Sequence, residues 1–386
     1  MTTEETKNLL NEYIEHLLDI SDAEHPMWNI EVLNSKKANK WNYIDGCMLS
    51  SLMRLYEMTG NKKYLEFSDS FMDWFINDDG TIKTYEKEEY NIDRIKPGCA
   101  LFSLYDITGK EKYRKAMDTL RDQLETHPRT NEGNFWHKKI YPYQVWLDGL
   151  YMAQPFYTEY EHRYNKMSGC LDAFRQFQNV RRLMRDEKTG LYYHGYDESR
   201  QMYWADKDTG LSSNFWLRAT GWFIASLVDT AEAMGEQMYY EYRTLQDILK
   251  ELSDSLLKYI DKDSHMFYQV INRADVEGNY LETSGSALIA YAFLKGARLK
   301  YLPARFKEEG RKIFYGITER NLSKNEDGTP RLRGICYMAG LGGDNHRDGS
   351  VEYYLSEPVV ENDAKGTGPL IMAYVEILAD EMKQEG

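Results

Sequence analysis

Residues 143 to 160 read YQVWLDGLYMAQPFYTEY, and the order of residue types within them decides the fold. An acid followed by glycine, Asp148-Gly149, heads an apolar run flanked by Trp146 and Tyr151. Four other places repeat a small polar residue and then Gly ahead of such a run: Asp45-Gly46, Thr220-Gly221, Ser284-Gly285 and Thr367-Gly368. Pro97-Gly98 makes a sixth with proline. Asp, Thr and Ser accept hydrogen bonds from the free amides of a first helical turn, and proline has no amide to leave unpaired there. All six pairs therefore read as helix starts. Glycine directly after a cap lowers helix propensity, so its recurrence predicts crowded backbones where helix ends converge on an axis. Six inner helices follow.

Working outward, residues 4 to 19 carry Leu9, Leu10, Tyr13, Ile14, Leu17 and Leu18 at helical spacing and form an outer helix. The first inner helix lies within WNYIDGCMLSSLMRLYEMTG, and an outer helix from about Lys62 to Ile76 follows a short turn. The next pair repeats this, because LYEMTGNKKY at 55 to 64 returns as LYDITGKEKY at 104 to 113. Thr-Gly ends one helix by letting the backbone turn left-handed, and Lys-Tyr opens its partner. Further pairs fall at 148 to 160 with 164 to 186, 220 to 235 with 237 to 261, and 284 to 299 with 303 to 320. The last inner helix, GTGPLIMAYVEILADEMK, has no outer partner after it, and the N-terminal helix supplies one. Twelve helices thus close an all-α (α/α)6 barrel, expected as a single domain over residues 1–386. The loops before the inner helices make one face, and two of them are long. Asp186 to Asp208 contains the extended or hairpin-like GLYYHGYD, and Asn321 to Lys365 carries Gly340, Gly342, Gly343 and Gly349 as a flexible rim or lid.

Composition limits the function. A formal charge of −14 argues against a nucleic-acid partner. No run is apolar enough for a membrane span, and the acidic amphipathic N-terminus lacks signal-peptide order, so a cytoplasmic chain is expected. Cys47, Cys99, Cys170 and Cys336 are scattered without a CxxC pair. No metal cluster, cofactor loop or disulfide framework is indicated. Asp344-Asn345-His346-Arg347-Asp348 lacks a ligand motif and reads as a rim turn.

Candidate chemistry gathers at the long-loop face. Asp148, an acid among rings, is a candidate proton donor, although Asp45 stands at the same place in the first repeat and capping alone explains an Asp there. Asp93, in NIDRIKPG, lies one repeat upstream, so two carboxylates are expected to face one cavity. A like charge and aromatic burial raise proton affinity while a helix N-terminus lowers it, and the balance predicts an acid that gives and takes a proton near neutrality. His137 and Lys138 precede Asp148, and His194 and Arg218 come from later mouth loops. With Trp136, Trp146, Trp216 and Trp222 they form a cationic, ring-lined pocket suited to a negatively charged sugar. Tyr43 offers another ring, or a core contact.

In this order, NIDRIKPG, WLDGLYMAQPF, YYHGYD, FWLRATGW and YYLSEPVVENDAKGTGP resemble the unsaturated rhamnogalacturonyl hydrolases, glycoside hydrolase family 105, from about Trp41 to Tyr374. The resemblance implies an (α/α)6 barrel that removes a 4,5-unsaturated galacturonic acid from the non-reducing end of rhamnogalacturonan oligosaccharides, without a cofactor. It implies Asp148 as general acid/base and Asp93 as the second pocket carboxylate, with His137, Lys138, His194, Trp216, Arg218 and Trp222 at the substrate. Arg218 and Lys138 are then the candidates for holding the uronate carboxylate. The sequence departs in one place, reading Arg-Ala-Thr-Gly-Trp where the family commonly has Arg-Gly-Asn-Gly-Trp. A monomer or weak homo-oligomer is expected. Three alternatives stand beside this reading: an unsaturated glucuronyl hydrolase on glycosaminoglycan fragments, a sugar 2-epimerase on the same barrel, which needs paired histidines, and a carbohydrate-binding protein without catalysis.

Overall fold

The two Thr-Gly repeats end their helices as their chemistry requires, with Gly60 and Gly109 left-handed at φ 70° and 66°. They divide the first two helix pairs of a computed structural model that describes residues 2–385. Its helices are α1 (Thr3–Asp19), α2 (Ile30–Ser35), α3 (Tyr43–Thr59), α4 (Lys62–Phe75), α5 (Gly98–Thr108), α6 (Glu111–Thr126) and α7 (Gly149–Tyr164). They continue as α8 (Cys170–Met184), α9 (Leu217–Met234), α10 (Tyr239–Leu256), α11 (Thr283–Arg298), α12 (Arg305–Asn321), α13 (Val351–Ser356) and α14 (Ala364–Glu385). Six inner helices, α3, α5, α7, α9, α11 and α14, each pack on the next, and α14 returns to α3. The ring is closed, and the fold is an (α/α)6 barrel.

Burial explains which helices go inside. Nearly every residue of α9 and of α11 is buried, as expected for helices apolar on all faces. By contrast α4, α6, α8, α10 and α12 each bury one stripe against the preceding inner helix and keep a charged face in solvent. The N-terminal helix takes the sixth outer place. Tyr13 and Thr367 share a buried hydrogen bond of 2.8 Å between α1 and α14, and Lys7 pairs with Glu381 at 2.9 Å.

The six glycine pairs, five polar and one with proline, mark the helix starts, but the polar side chains do not cap them. Asn42 caps α3 and Glu282 caps α11, each accepting from amides two or three residues on. Asp148 occupies the cap position of α7 without a side-chain capping hydrogen bond, and Trp216 precedes α9. The caps sit further upstream because glycine is needed inside the first turn, where neighbouring helices touch. A Cβ on Gly46 would stand 2.7 Å from the Pro97 backbone, and one on Gly221 3.1 Å from Gly285. Asp45, freed from capping, is buried and accepts from Trp28, Asn29, Asn39 and Asn42, tying the 20–42 segment to α3. Asp45→Asn replaces one acceptor oxygen with a donor among these groups and is expected to cost about 1–3 kcal/mol in urea unfolding while leaving turnover intact.

Six short strands decorate the mouth. β1 (Gln144–Trp146) pairs with β2 (Gly195–Asp197), so the extended stretch after α8 pairs with the segment that leads into Asp148. In the long loop, β3 (Leu322–Lys324) pairs with β4 (Pro330–Leu332), and β5 (Ile335–Cys336) with β6 (Val359–Val360). The loop is tied down by Arg218, which is fully buried. Its guanidinium donates to the Cys336 carbonyl and, at 3.4 Å, to the Tyr337 carbonyl and Ser284 Oγ.

Candidate active site

The β1–β2 pairing builds the centre of the mouth. Trp146 stands opposite Gly195, and the Leu147 amide donates to the His194 carbonyl at 2.8 Å. Asp148 and His194, far apart in sequence, therefore face each other, with Oδ1 and Nε2 3.5 Å apart. His194 is itself held from behind, because Nδ1 lies 2.7 Å from the Tyr354 hydroxyl on α13. Trp216 packs beside it at 4.8 Å and stacks on Tyr354.

A second group forms one repeat upstream. The turn at Ile92–Arg94 pairs with the segment after α6, where the Ile92 amide donates to the His137 carbonyl at 3.2 Å. This places Asp93 against Lys138 Nζ at 2.7 Å and His137 Nε2 at 3.5 Å. His137 stacks on Trp146 at 4.4 Å, and Trp146 stacks on Tyr141 at 5.0 Å. A Cβ on Gly149 would lie 2.9 Å from His137 Nδ1, so that glycine lets the imidazole sit against the start of α7.

The charge state of Asp148 differs from the sequence expectation. Burial raises its proton affinity, but His194 beside it and His137 nearby outweigh burial and hold the carboxyl at about 2. Asp148 in the unliganded mouth is therefore ionised at neutral pH rather than poised near it. The expectation missed this because it weighed Asp93 as the neighbour, whereas Asp93 is matched by Lys138. Burial holds the His137 imidazole below its ordinary range against the pull of Asp93. Burial also disfavours the Lys138 ammonium, yet Asp93 prevails and strengthens its hold on the proton.

Several buried polar atoms at this face lack a hydrogen-bond partner among the described residues, His137 Nδ1 and the indole nitrogens of Trp136 and Trp216, and Asp148 Oδ1 and His194 Nε2 have only each other, at 3.5 Å. Buried polar atoms are rarely left so, and their clustering fits a mouth that receives a polar ligand. The remaining sequence candidates lie at its edges or beneath it. Trp136 packs at a tilt against the exposed Tyr143 at the rim, 4.8 Å away. Trp222 is buried and stacks on Tyr151 at 4.7 Å, a turn below the acid. Tyr43 is half-buried, and burial pushes its phenol far above the ordinary range. Arg218 faces loop carbonyls, as described above.

Two residues escaped the sequence reading. Tyr354 lay within the quoted YYLSEPVV motif but had no role there. Arg347 donates to the Gly342 carbonyl at 2.8 Å and to the Tyr141 hydroxyl at 3.1 Å, beside the Trp146 stack. It belongs to the turn read only as rim.

An acid facing a histidine, a second acid paired to lysine, and stacked rings at the mouth of an (α/α)6 barrel fit a site that takes a polar ligand with a ring face, such as a sugar. The chain belongs to Glycosyl Hydrolase Family 88, whose model matches residues 8–380. It is similar to a family 105 glycoside hydrolase of C. acetobutylicum ATCC 824, at 43% identity and a TM-score of 0.88, covering 96% of this chain and 98% of that one. Protein Atu3128 of Agrobacterium fabrum is 41% identical over 236 residues, 59% of this chain and 98% of that protein. Unsaturated rhamnogalacturonyl hydrolase YesR of Bacillus subtilis is 24% identical over 265 residues, 67% of this chain and 72% of YesR. The chain is thus a glycosidase with an oligosaccharide substrate. Among the described residues, no helix is long and apolar enough to cross a membrane.

Proposed function

We propose that this glycosidase removes a 4,5-unsaturated galacturonic acid from the non-reducing end of rhamnogalacturonan oligosaccharides, with Asp148 as general acid and base. The observation that carries this reading is the Asp148 carboxylate, half-buried at a helix start that it does not cap, with Oδ1 facing His194 Nε2 at 3.5 Å. The similarity to YesR supports the choice of sugar.

An unsaturated uronide is a vinyl ether, with C4 and C5 joined by a double bond and C5 bonded to the ring oxygen. Substrate binding expels water and brings a second carboxylate into the mouth, and both effects raise the proton affinity of Asp148. The protonated acid gives its proton to C4, and positive charge develops at C5, shared with the ring oxygen. The Asp148 carboxylate then takes a proton from the water that adds to C5. The resulting hemiketal opens by breaking the bond between C5 and the ring oxygen, leaving a ketone at C5. The hemiacetal so exposed at C1 releases the remaining sugar as an alcohol, with one water consumed overall. Lys138, steadied by Asp93, meets the uronate carboxylate, and the stacked Trp146 carries the ring face. Arg218 holds the loop that brings Tyr354 to His194. Carboxylate spacing carries no stereochemical meaning on this route.

Turnover with methanol added to the water tests the chemistry. Attack at C5 by methanol gives a C5 methyl ketal that has lost the double bond and still carries the remaining sugar, whereas direct cleavage at C1 gives a C1 methyl glycoside that keeps the double bond and would overturn the proposal.

Because unliganded Asp148 sits at about 2 and the chemistry needs its proton, kcat/KM is expected to rise as pH falls from 7 towards 5, by up to about tenfold per unit. A profile that is flat or that falls on acidification would contradict this order of protonation. Tyr354→Phe removes the hydroxyl behind His194 Nδ1. Steady-state kinetics on this variant should show kcat/KM lowered about 3- to 10-fold, the worth of one buried hydrogen bond, with a displaced pH profile.

A further inference from the structure

The six inner helices start at the mouth, and their far ends enclose a separate cavity of about 500 Å3. Its walls come from the later turns of α3, α7 and α9 and from α5, among them Arg54, Glu57, Ser103, Glu159, Arg163 and Asp229. Glu57, His162 and Arg163 at its rim are exposed, so the cavity opens away from Asp148.

The cations here are matched with one exception. Arg54 pairs with Asp229 at 3.2 Å, and Arg163 pairs with Glu159 and with Asp106. Lys295, just behind the wall, pairs with Asp229 and Glu232. Lys96 lines the same cavity, is 2% exposed, and has no carboxylate within ion-pair reach among the described residues. Its ammonium rests 3.9 Å from the centre of the Tyr151 ring. A buried ammonium without a counter-charge is costly, and lysines are almost never fully buried unless paired. Facing a cavity of ligand size, it is suited to receive an anion.

The rest of the lining narrows the class. Glu57, Glu159 and Asp229 repel a multiply charged anion, whereas carboxylates and serine hydroxyls accept sugar-like hydroxyls readily. We propose that the far end of the barrel is a second ligand site, taking a small monoanionic hydroxy acid whose carboxylate pairs with Lys96 and whose hydroxyls meet Glu57, Ser103 and Glu159. This site touches none of the residues assigned to the mouth, so its test stands apart from the hydrolase assay.

Cys99 provides a local readout, because it lines the cavity and is partly exposed while Cys47, Cys170 and Cys336 are buried. The full-length protein is labelled with N-ethylmaleimide in D-gluconate, in sodium chloride of equal ionic strength, and in uncharged sorbitol, and labelling of Cys99 is followed by mass spectrometry. Gluconate at ten times its Kd should slow labelling about tenfold. Sodium chloride and sorbitol should leave the rate unchanged. Lys96→Met should abolish the protection while turnover at the mouth persists. Equal rates in gluconate and chloride, equal protection by sorbitol, or protection retained in Lys96→Met would each overturn the proposal. The wild-type comparison of the three solutes decides the matter even where the variant folds poorly.

Discussion

Asp148→Asn is expected to fold like the parent and to lose about 100- to 10,000-fold of kcat on an unsaturated rhamnogalacturonan disaccharide. The substitution keeps the shape of the side chain and removes only its capacity to carry the transferred proton. Helix α7 does not depend on the carboxylate, since Asp148 makes no side-chain capping hydrogen bond to it. Melting temperature should therefore stay near that of the wild type, and KM should change far less than kcat. The behaviour of Asp45 gives the contrast. It shares the acid-glycine pattern, but four side chains donate to it, so its loss is a matter of stability. Wild-type turnover in Asp148→Asn would reduce Asp148 to a structural residue.

Lys295→Met is expected to have the largest effect on stability, about 3–5 kcal/mol in urea or thermal unfolding. Lys295 is fully buried on α11 and lies 2.6 Å from both Asp229 and Glu232 on α9. Arg54 on α3 and the Tyr291 hydroxyl also bond Asp229, so the group joins three inner helices across the barrel axis. Lys295 and Arg54 hold the Asp229 carboxyl far below the usual carboxylate range against its burial. Methionine fills much of the lysine stem but leaves Asp229 and Glu232 short of counter-charge. Adding Asp229→Asn should recover part of the loss, because the two changes share one network and are not additive. A loss below about 1 kcal/mol would show that Arg54 alone neutralises the site.

Much of the barrel was legible in the chain because it repeats itself. The two Thr-Gly segments located helix ends, and the acid-glycine and Thr-Gly pairs located the inner starts, since only glycine tolerates the contacts near Gly46 and Gly221. What misled was the reason for the polar partner. Caps such as Asn42 and Glu282 lie two or three residues upstream, where no periodic signal reaches. The ionised state of Asp148 was illegible for a related reason. It depends on His194, which arrives by pairing of β1 with β2 and is fixed by Tyr354 from a loop without repeating pattern. Arg218 was expected at the uronate carboxylate, whereas its guanidinium lies against loop carbonyls, a placement that follows from where residues 335 to 337 settle, a long-range contact that local spacing does not encode.

Hydration consumes the double bond of an unsaturated uronide. The most direct measurement follows the ultraviolet absorbance of the conjugated C4=C5 carboxylate while purified protein acts on unsaturated rhamnogalacturonan disaccharide, with unsaturated galacturonan and glycosaminoglycan fragments alongside. Absorbance is expected to fall, and to fall fastest with the rhamnogalacturonan disaccharide. Faster loss with a glycosaminoglycan fragment would contradict the assigned sugar, and unchanged absorbance with all three would contradict the chemistry itself.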